Sequence, residues 1–263
     1  MNTLTQVRFH HLFGAEWIKL RSLRSNFAIL AFGVLFAAVG AWRLGGHVRV
    51  APGAAGSFNP LSYPFDQLTW GFVTVLAASF GVLAMTGELS TGLIRTTLIA
   101  VPDRRRVIAA KSLTVALVML VFGLITSFAS LYIARQALTS QLSGLSLSDG
   151  PALRAALLSA ALPVLGSQIG LGIGALIRHP LAAVGATWGL LLLLPMLLSS
   201  GTLGLGVITE AMPLSAWTTL AHTAPTATNQ SPTPPAGLAL TLLLAWPLAG
   251  IAVTATTMAS RDA

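Results

Sequence analysis

Cysteine is absent from the 263 residues, which removes disulfides, thiolate metal ligands and cysteine nucleophiles. Charge is nearly as scarce. Asp, Glu, Lys and Arg make up 8% of the chain, against the roughly 25% with which an average soluble domain faces water. A water-soluble enzyme is therefore excluded. No G-x-x-x-x-G-K-[ST] run is present, so the chain has no phosphate-cradling loop of its own. H-E-x-x-H and G-x-S-x-G are missing too, and the histidines at 10, 11, 47, 179 and 222 are scattered, so neither a metal site nor a hydrolytic site is expected. Glu210 and Asp66 fall outside the long apolar runs and are candidates only for an outer mouth.

What remains is apolar. Hydrophobic residues supply 54% of the chain and the mean hydropathy is +0.79, as expected of a protein whose outer surface meets lipid. A spanning helix needs roughly 20 apolar residues to cross about 30 Å of hydrocarbon. Six segments qualify: Asn26 to Leu44, Leu68 to Thr86, Ser112 to Ala134, Ala152 to Ile177, Leu181 to Ser200 and Gly237 to Ser260. None holds Asp, Glu or Lys in its interior, which argues against a proton-driven pump. The fold class is thus an all-α integral membrane protein, a single transmembrane domain over residues 1–263. Pro163 interrupts the fourth span, which is either one helix or two half-helices.

Basic residues number 15 and acidic residues 7, for a net charge of +8. They cluster beside apolar runs, a pattern of the membrane surface and not of nucleic-acid binding. Placing the N-terminus in the cytoplasm puts Arg8, Lys19, Arg21, Arg24, Arg95, Arg104, Arg105, Arg106, Lys111, Arg178 and Arg261 inside. Only Arg43, Arg49, Arg135 and Arg154 then lie outside. Both termini are accordingly expected in the cytoplasm. The first 55 residues also follow the order of a signal peptide, but are read here as a retained first span. Thirteen of the basic residues are Arg and Ala is frequent, a coding bias that points to a bacterial plasma membrane.

Ahead of the first span, Phe9, Leu12, Phe13, Trp17 and Leu20 recur every three or four residues among Arg8, Lys19, Arg21 and Arg24. The spacing predicts an amphipathic helix in the inner interface, its apolar side in acyl chains and its cations among phosphates. Residues 87–111 form the one sizeable inner loop. Thr86 is expected to cap a short helix with Glu88 in its first turn. That helix carries Leu93, Ile94 and Leu98 as an apolar face, Pro102 stops it, and Asp103 caps the next. Arg104, Arg105 and Arg106 are expected at the phosphates. On the other side, residues 201–236 hold apolar pieces too short to cross, as in re-entrant or interfacial helices. Gly166, Gly170 and Gly174 predict close helix packing. Gln168 is a candidate path-lining group. Trp42, Trp70, Trp188, Trp217 and Trp246 are expected as interfacial anchors, and Thr126, Ser127 and Ser130 are expected to bond within their own helix.

Glu16-Trp17-Ile18-Lys19-Leu20-Arg21-Ser22 before the first span resembles the corresponding part of an ABC-2 type permease, the membrane subunit of a class of ABC exporters. Glu88, Thr91-Gly92, the Pro102 break, Arg104 to Arg106 and Lys111 carry the same resemblance. It implies that residues 1–25 hold an elbow helix with Phe9, Phe13, Glu16 and Trp17. The inter-span loop would be a coupling helix seated in an ATPase subunit through Glu88, Thr91, Gly92, Leu93, Ile94, Arg95, Leu98 and Pro102. The turn at 177–180 would be a second contact. ATP and magnesium would be held by separate ATPase subunits, and a second permease copy or a related permease would complete the path. The uncharged spans favour an amphipathic or hydrophobic cargo such as an antibiotic, a peptide or a lipid. An ATP-independent carrier or channel, or a non-transporting immunity or sensor subunit, is the alternative.

Overall fold

The computed structural model describes residues 8–22, 24–46, 59–101, 103–138, 150–199, 206–221, 223 and 234–260. Among them every regular element is a helix: α1 (Phe9–Ser22), α2 (Arg24–Gly46), α3 (Gln67–Ser90), α4 (Leu93–Ala100), α5 (Arg104–Leu138), α6 (Gly150–Ile177), α7 (Pro180–Trp188), α8 (Leu194–Ser199), α9 (Gly206–Glu210), α10 (Pro213–Ala221) and α11 (Ala236–Ser260). Six helical segments are long and apolar enough to cross a membrane. They are α2, α3, α5, α6, the α7–α8 unit and α11, so the chain is an all-α multi-pass membrane protein.

Composition decides which of these lie inside the bundle. The most apolar 18-residue windows of α3 and α6 are each 72% buried by the protein itself, whereas those of α2 and α11 are 17% buried. Small residues make the central pair possible. A Cβ added at Gly166 would strike the Thr74 carbonyl, one at Gly170 the Ala78 carbonyl, and one at Gly174 the Val82 backbone at 3.1 Å. The expected Gly166, Gly170 and Gly174 stripe therefore runs parallel to α3, in step with residues 74, 78 and 82. Gly81 of α3 answers against the Ser167 carbonyl. The same device recurs on the other sides of α6, where Gly123 of α5 abuts Ala160 and Gly250 of α11 abuts Gln168. Lipid gives helices no hydrophobic reason to associate, so close backbone approach is the source of cohesion.

Polar side chains inside this bundle mostly return to their own helix. The hydroxyls of Thr74, Thr86, Thr114, Thr187 and Thr254 donate to the carbonyl four residues back. On α5 Thr126 donates four residues back to Phe122 O and Ser127 three residues back to Leu124 O, while Ser130 Oγ meets no partner among the described residues. Proline is absorbed as well. Pro163 does not split the fourth span, and α6 runs unbroken from Gly150 to Ile177 with Pro163 buried. Its neighbours pack on it closely enough to hold the helix through the missing hydrogen bond. Ahead of Pro195 the chain widens into a π-turn, Gly189–Leu193, where Leu194 N–H reaches Gly189 O.

The tryptophans depart from the interfacial expectation. Trp70 and Trp217 are fully buried, their rings 6.2 Å apart. Each indole N–H has an acceptor in the protein: Pro64 O at 2.9 Å for Trp70 and Ser159 Oγ at 3.1 Å for Trp217. Trp188 and Trp246, both half-buried, donate to Ser79 Oγ and Ala211 O. Trp42 alone of the five is largely exposed. With its N–H satisfied an indole is a large apolar body, and it seals the end of the bundle beneath α10. The short helices α9 and α10 arise from the 201–236 stretch, and α10 is buried against α6 and α11. The stretch from Pro225 to residue 233 and Arg49 lie outside the described residues.

The glycine contacts generate a direct test. Gly170→Ala, which drives a methyl into the Ala78 carbonyl, is expected to cost about 1–3 kcal/mol. Gly185→Ala, with nothing within 4 Å of the new methyl, is expected to leave the melting temperature unchanged or raised. Thermal unfolding of the two purified variants in detergent separates these outcomes.

Candidate functional site

Trp70 and Glu88 stand about 27 Å apart along α3 at 1.5 Å per residue, so the glutamate lies at the opposite end from the tryptophan seal. There α3 ends later than expected. Thr86 Oγ1 bonds back to Val82 O in place of capping a new helix, and α3 continues to Ser90. Glu88 therefore sits in the last turn of α3, 8% exposed. Lys111 occupies the second turn of α5 at 5% exposure, and Glu16 of α1 matches it at 5%. Lys19 completes the group.

The four side chains close into a ring. Lys111 Nζ lies 2.5 Å from Glu16 Oε2 and 2.8 Å from Glu88 Oε1. Lys19 Nζ lies 2.7 Å from Glu16 Oε1 and 3.0 Å from Glu88 Oε1. Each ammonium thus meets both carboxylates, and the ring is neutral. It joins α1, α3 and α5, whose residues are up to 95 positions apart. An uncompensated buried charge is costly, and pairing offsets that cost only where the geometry is good. A lysine suits this arrangement because its compact ammonium can donate in three directions.

Lys19 and Lys111, expected among phosphates, are turned onto glutamates, and Glu88, expected at a docked partner, is largely buried in the ring. The arginine triplet divides similarly. Arg104 Nη1 donates to Met258 O at the end of α11 at 2.8 Å, Arg106 pairs with Asp103 at 2.9 Å, and Arg105 is exposed. Asp103 Oδ1 also accepts the Arg106 N–H, which caps α5 as its sequence position suggested.

Helix α1 shows two apolar edges where one was expected. Leu12 packs with Val101, Val107 and Ala110, and Leu20 packs on the main core. Phe9, Trp17 and Ile18 remain exposed and Phe13 is half-buried. Between α3 and α5 the chain turns at Thr91, whose hydroxyl donates to Gly87 O at 2.7 Å, and at Gly92. The φ of 70° at Gly92 is a left-handed conformation that favours glycine. Helix α4 follows. It buries Ile94 in the core and leaves Leu93 exposed and Ile99 84% exposed. The side chains of Arg24, Arg95 and Leu98, and Pro102 entirely, lie outside the described residues. A cavity of about 360 Å³ separates α4 from α1, with Glu16 and Lys19 in its wall and His11, Thr96 and Thr97 around it.

Gln168, expected on a path, is closed off at 2% exposure. Ser112 Oγ donates to its Oε1 at 2.5 Å, and its Nε2 donates to Ser112 O at 3.3 Å. Because Ser112 follows Lys111, one turn of α5 is tied to α1 and α3 through the ring and to α6 through this amide. At the turn after α6, Arg178 takes a φ of 60°, and His179 Nδ1 accepts the Ala182 N–H at the start of α7.

Burial would raise the Glu16 carboxyl, but the Lys111 charge and hydrogen bonds from Lys111 and Lys19 outweigh it and hold the group below its ordinary 4.5. Burial would lower Lys19, and hydrogen bonds and charge from Glu16 and Glu88 reverse that, raising it above its ordinary 10.5. A lowered acid contributes stability above its unfolded value and loses it as pH falls through the folded one. A raised base contributes stability below its unfolded value and loses it as pH rises through the folded one. Glu16 and Lys19 therefore both keep their charges throughout the range between 4.5 and 10.5.

No family model matches the chain, and no curated sequence matches it.

Two outcomes are expected from the ring. Lys111→Met, which leaves two buried carboxylates sharing one ammonium, costs about 3–5 kcal/mol. The neutral double variant Lys111→Met with Glu16→Gln recovers most of that loss, as read by thermal unfolding in detergent. Proteolysis at α1 stays constant across neutral pH and accelerates in acid below the ordinary glutamate value of 4.5.

Proposed function

We propose that this chain is the membrane subunit of an ABC exporter of the ABC-2 permease type, driven by separate ATPase subunits. The observation that carries this reading is α4. It is an eight-residue helix between the second and third spans, anchored inward by Ile94 while Ile99 stands 84% exposed. An isoleucine so exposed on a short helix outside the spans suits an apolar contact with another protein. The arrangement beneath supports a coupling role. Movement of α4 would pass to α3 through the Thr91-Gly92 turn and to α5 through Val101, and the ion ring would make α1, α3 and α5 respond together. ATP-driven closure of the partner would then select between two arrangements of the spans by differential binding.

In this reading α1, α4 and the arginine triplet face the cytoplasm of a bacterial plasma membrane, with both termini on that side. The balance of Lys and Arg supports that orientation. Two copies, or one copy and a related permease, enclose the path. The cargo is amphipathic or hydrophobic, in keeping with spans that carry almost no charge.

The absence of cysteine makes the test clean, because a single introduced thiol is unique. Ile99→Cys is expected to cross-link to a co-expressed ATPase subunit, whereas Ile125→Cys, exposed on the flank of α5, is not. Ile99→Asp should weaken ATPase association about tenfold or more, as loss of a buried apolar anchor does. Glu88→Gln should leave association intact and lower transport per ATP hydrolysed. Failure of any ATPase to co-purify with the wild-type protein would overturn the reading in favour of an ATP-independent carrier.

A further inference from the structure

Between α1 and α2 lies a groove that the coupling role does not use. Asn26, 8% exposed, donates from Nδ2 to Leu20 O at 2.9 Å, meeting a carbonyl that the end of α1 would leave open. This bond ties the start of α2 to the end of α1, and a gap lies beside it. The gap encloses about 220 Å³. Its walls are Leu20 and Leu30 from the two helices, with Phe80 of α3 and Val118 of α5 behind them. Among the described residues Arg21 is its one charged lining residue, and Trp17 lines it as well.

We infer that this groove holds one anionic phospholipid of the surrounding bilayer, an acyl chain against Leu30, Phe80 and Val118 and the phosphate at Arg21. Three observations favour that occupant. The groove borders Phe27, 54% exposed at the foot of α2, so it is continuous with the apolar outer face of a spanning helix. Its charge is of one sign, which selects a negative headgroup over a zwitterionic one. Trp17, 44% exposed, offers an apolar ring with a polar N–H, a combination suited to the level of the headgroups. Lys19, one turn from the groove, is held by Glu16 and Glu88, which leaves Arg21 to meet the phosphate. The inference is independent of export, since it concerns the protein in a bilayer with or without a partner.

Native mass spectrometry of the full chain, released from detergent with equimolar phosphatidylglycerol and phosphatidylcholine, tests it. Wild type is expected to retain one phosphatidylglycerol in preference. Arg21→Gln should weaken that retention about fivefold, the equivalent of ~1 kcal/mol for one arginine at an anionic surface. Arg105→Gln, an exposed arginine that does not line the groove, should retain it as wild type does. Val118→Trp fills the groove and should abolish retention with Arg21 in place. A separate readout is quenching of Trp17 fluorescence by chain-brominated phosphatidylglycerol, measured as the difference from Trp17→Phe. Equal retention of both lipids, or equal losses in Arg21→Gln and Arg105→Gln, would overturn the inference, the latter by showing a diffuse charge effect.

Discussion

A lysine ammonium loses its hydration when it is buried, and that loss is tolerable only if the protein replaces it with fixed negative charge. Here the replacement is mutual: Glu16, Lys19, Glu88 and Lys111 satisfy one another across three helices. Helix α1 brings a balanced pair, Glu16 and Lys19, but α3 brings only Glu88 and α5 only Lys111, so the ring closes only where the three helices meet. The placement of α1 against the bundle, the late ending of α3 and the packing of the first turns of α5 follow from that closure. Ser112 extends the tie to α6, so four helices meet within one turn of α5.

The opposite end of the bundle reaches the same result without charge. Trp70 and Trp217 fill the space under α10, and each spends its single polar atom on an acceptor inside the protein. Between the two ends, cohesion comes from glycine. The bundle is thus held by ion pairs at one end, backbone contact in the middle and aromatic packing at the other end.

Much of this was legible in the sequence. The six spans are unmistakable because charge avoids them, and the 166, 170, 174 glycine spacing announced a close helix partner. Asp103 was placed to cap α5 by its position before the arginine triplet. Other features were not legible, for physical reasons. Thr86 can cap a new helix or bond back within the old one, and only the burial of Glu88 favours the second. Hydropathy reports that a tryptophan sits near a membrane surface but not which way its ring turns. Pro163 breaks helices in water, yet a helix packed on several sides is held through it. The ring hid because its members are far apart in sequence. A compositional trace was nevertheless present: the chain has two lysines among 15 cations, and both are in the ring. A protein that otherwise uses arginine had placed lysine where a compact ammonium could bridge two carboxylates.

The interlock of α3 and α6 restricts how the molecule can change shape. With a glycine of one helix set against a carbonyl of the other at several successive turns, sliding by a single residue would bring side chains onto backbone all along the seam. The two helices must travel as one keel. Any change of shape then falls to the thinly buried peripheral helices, and among them to the π-turn before Pro195, where the backbone has already left its regular ladder.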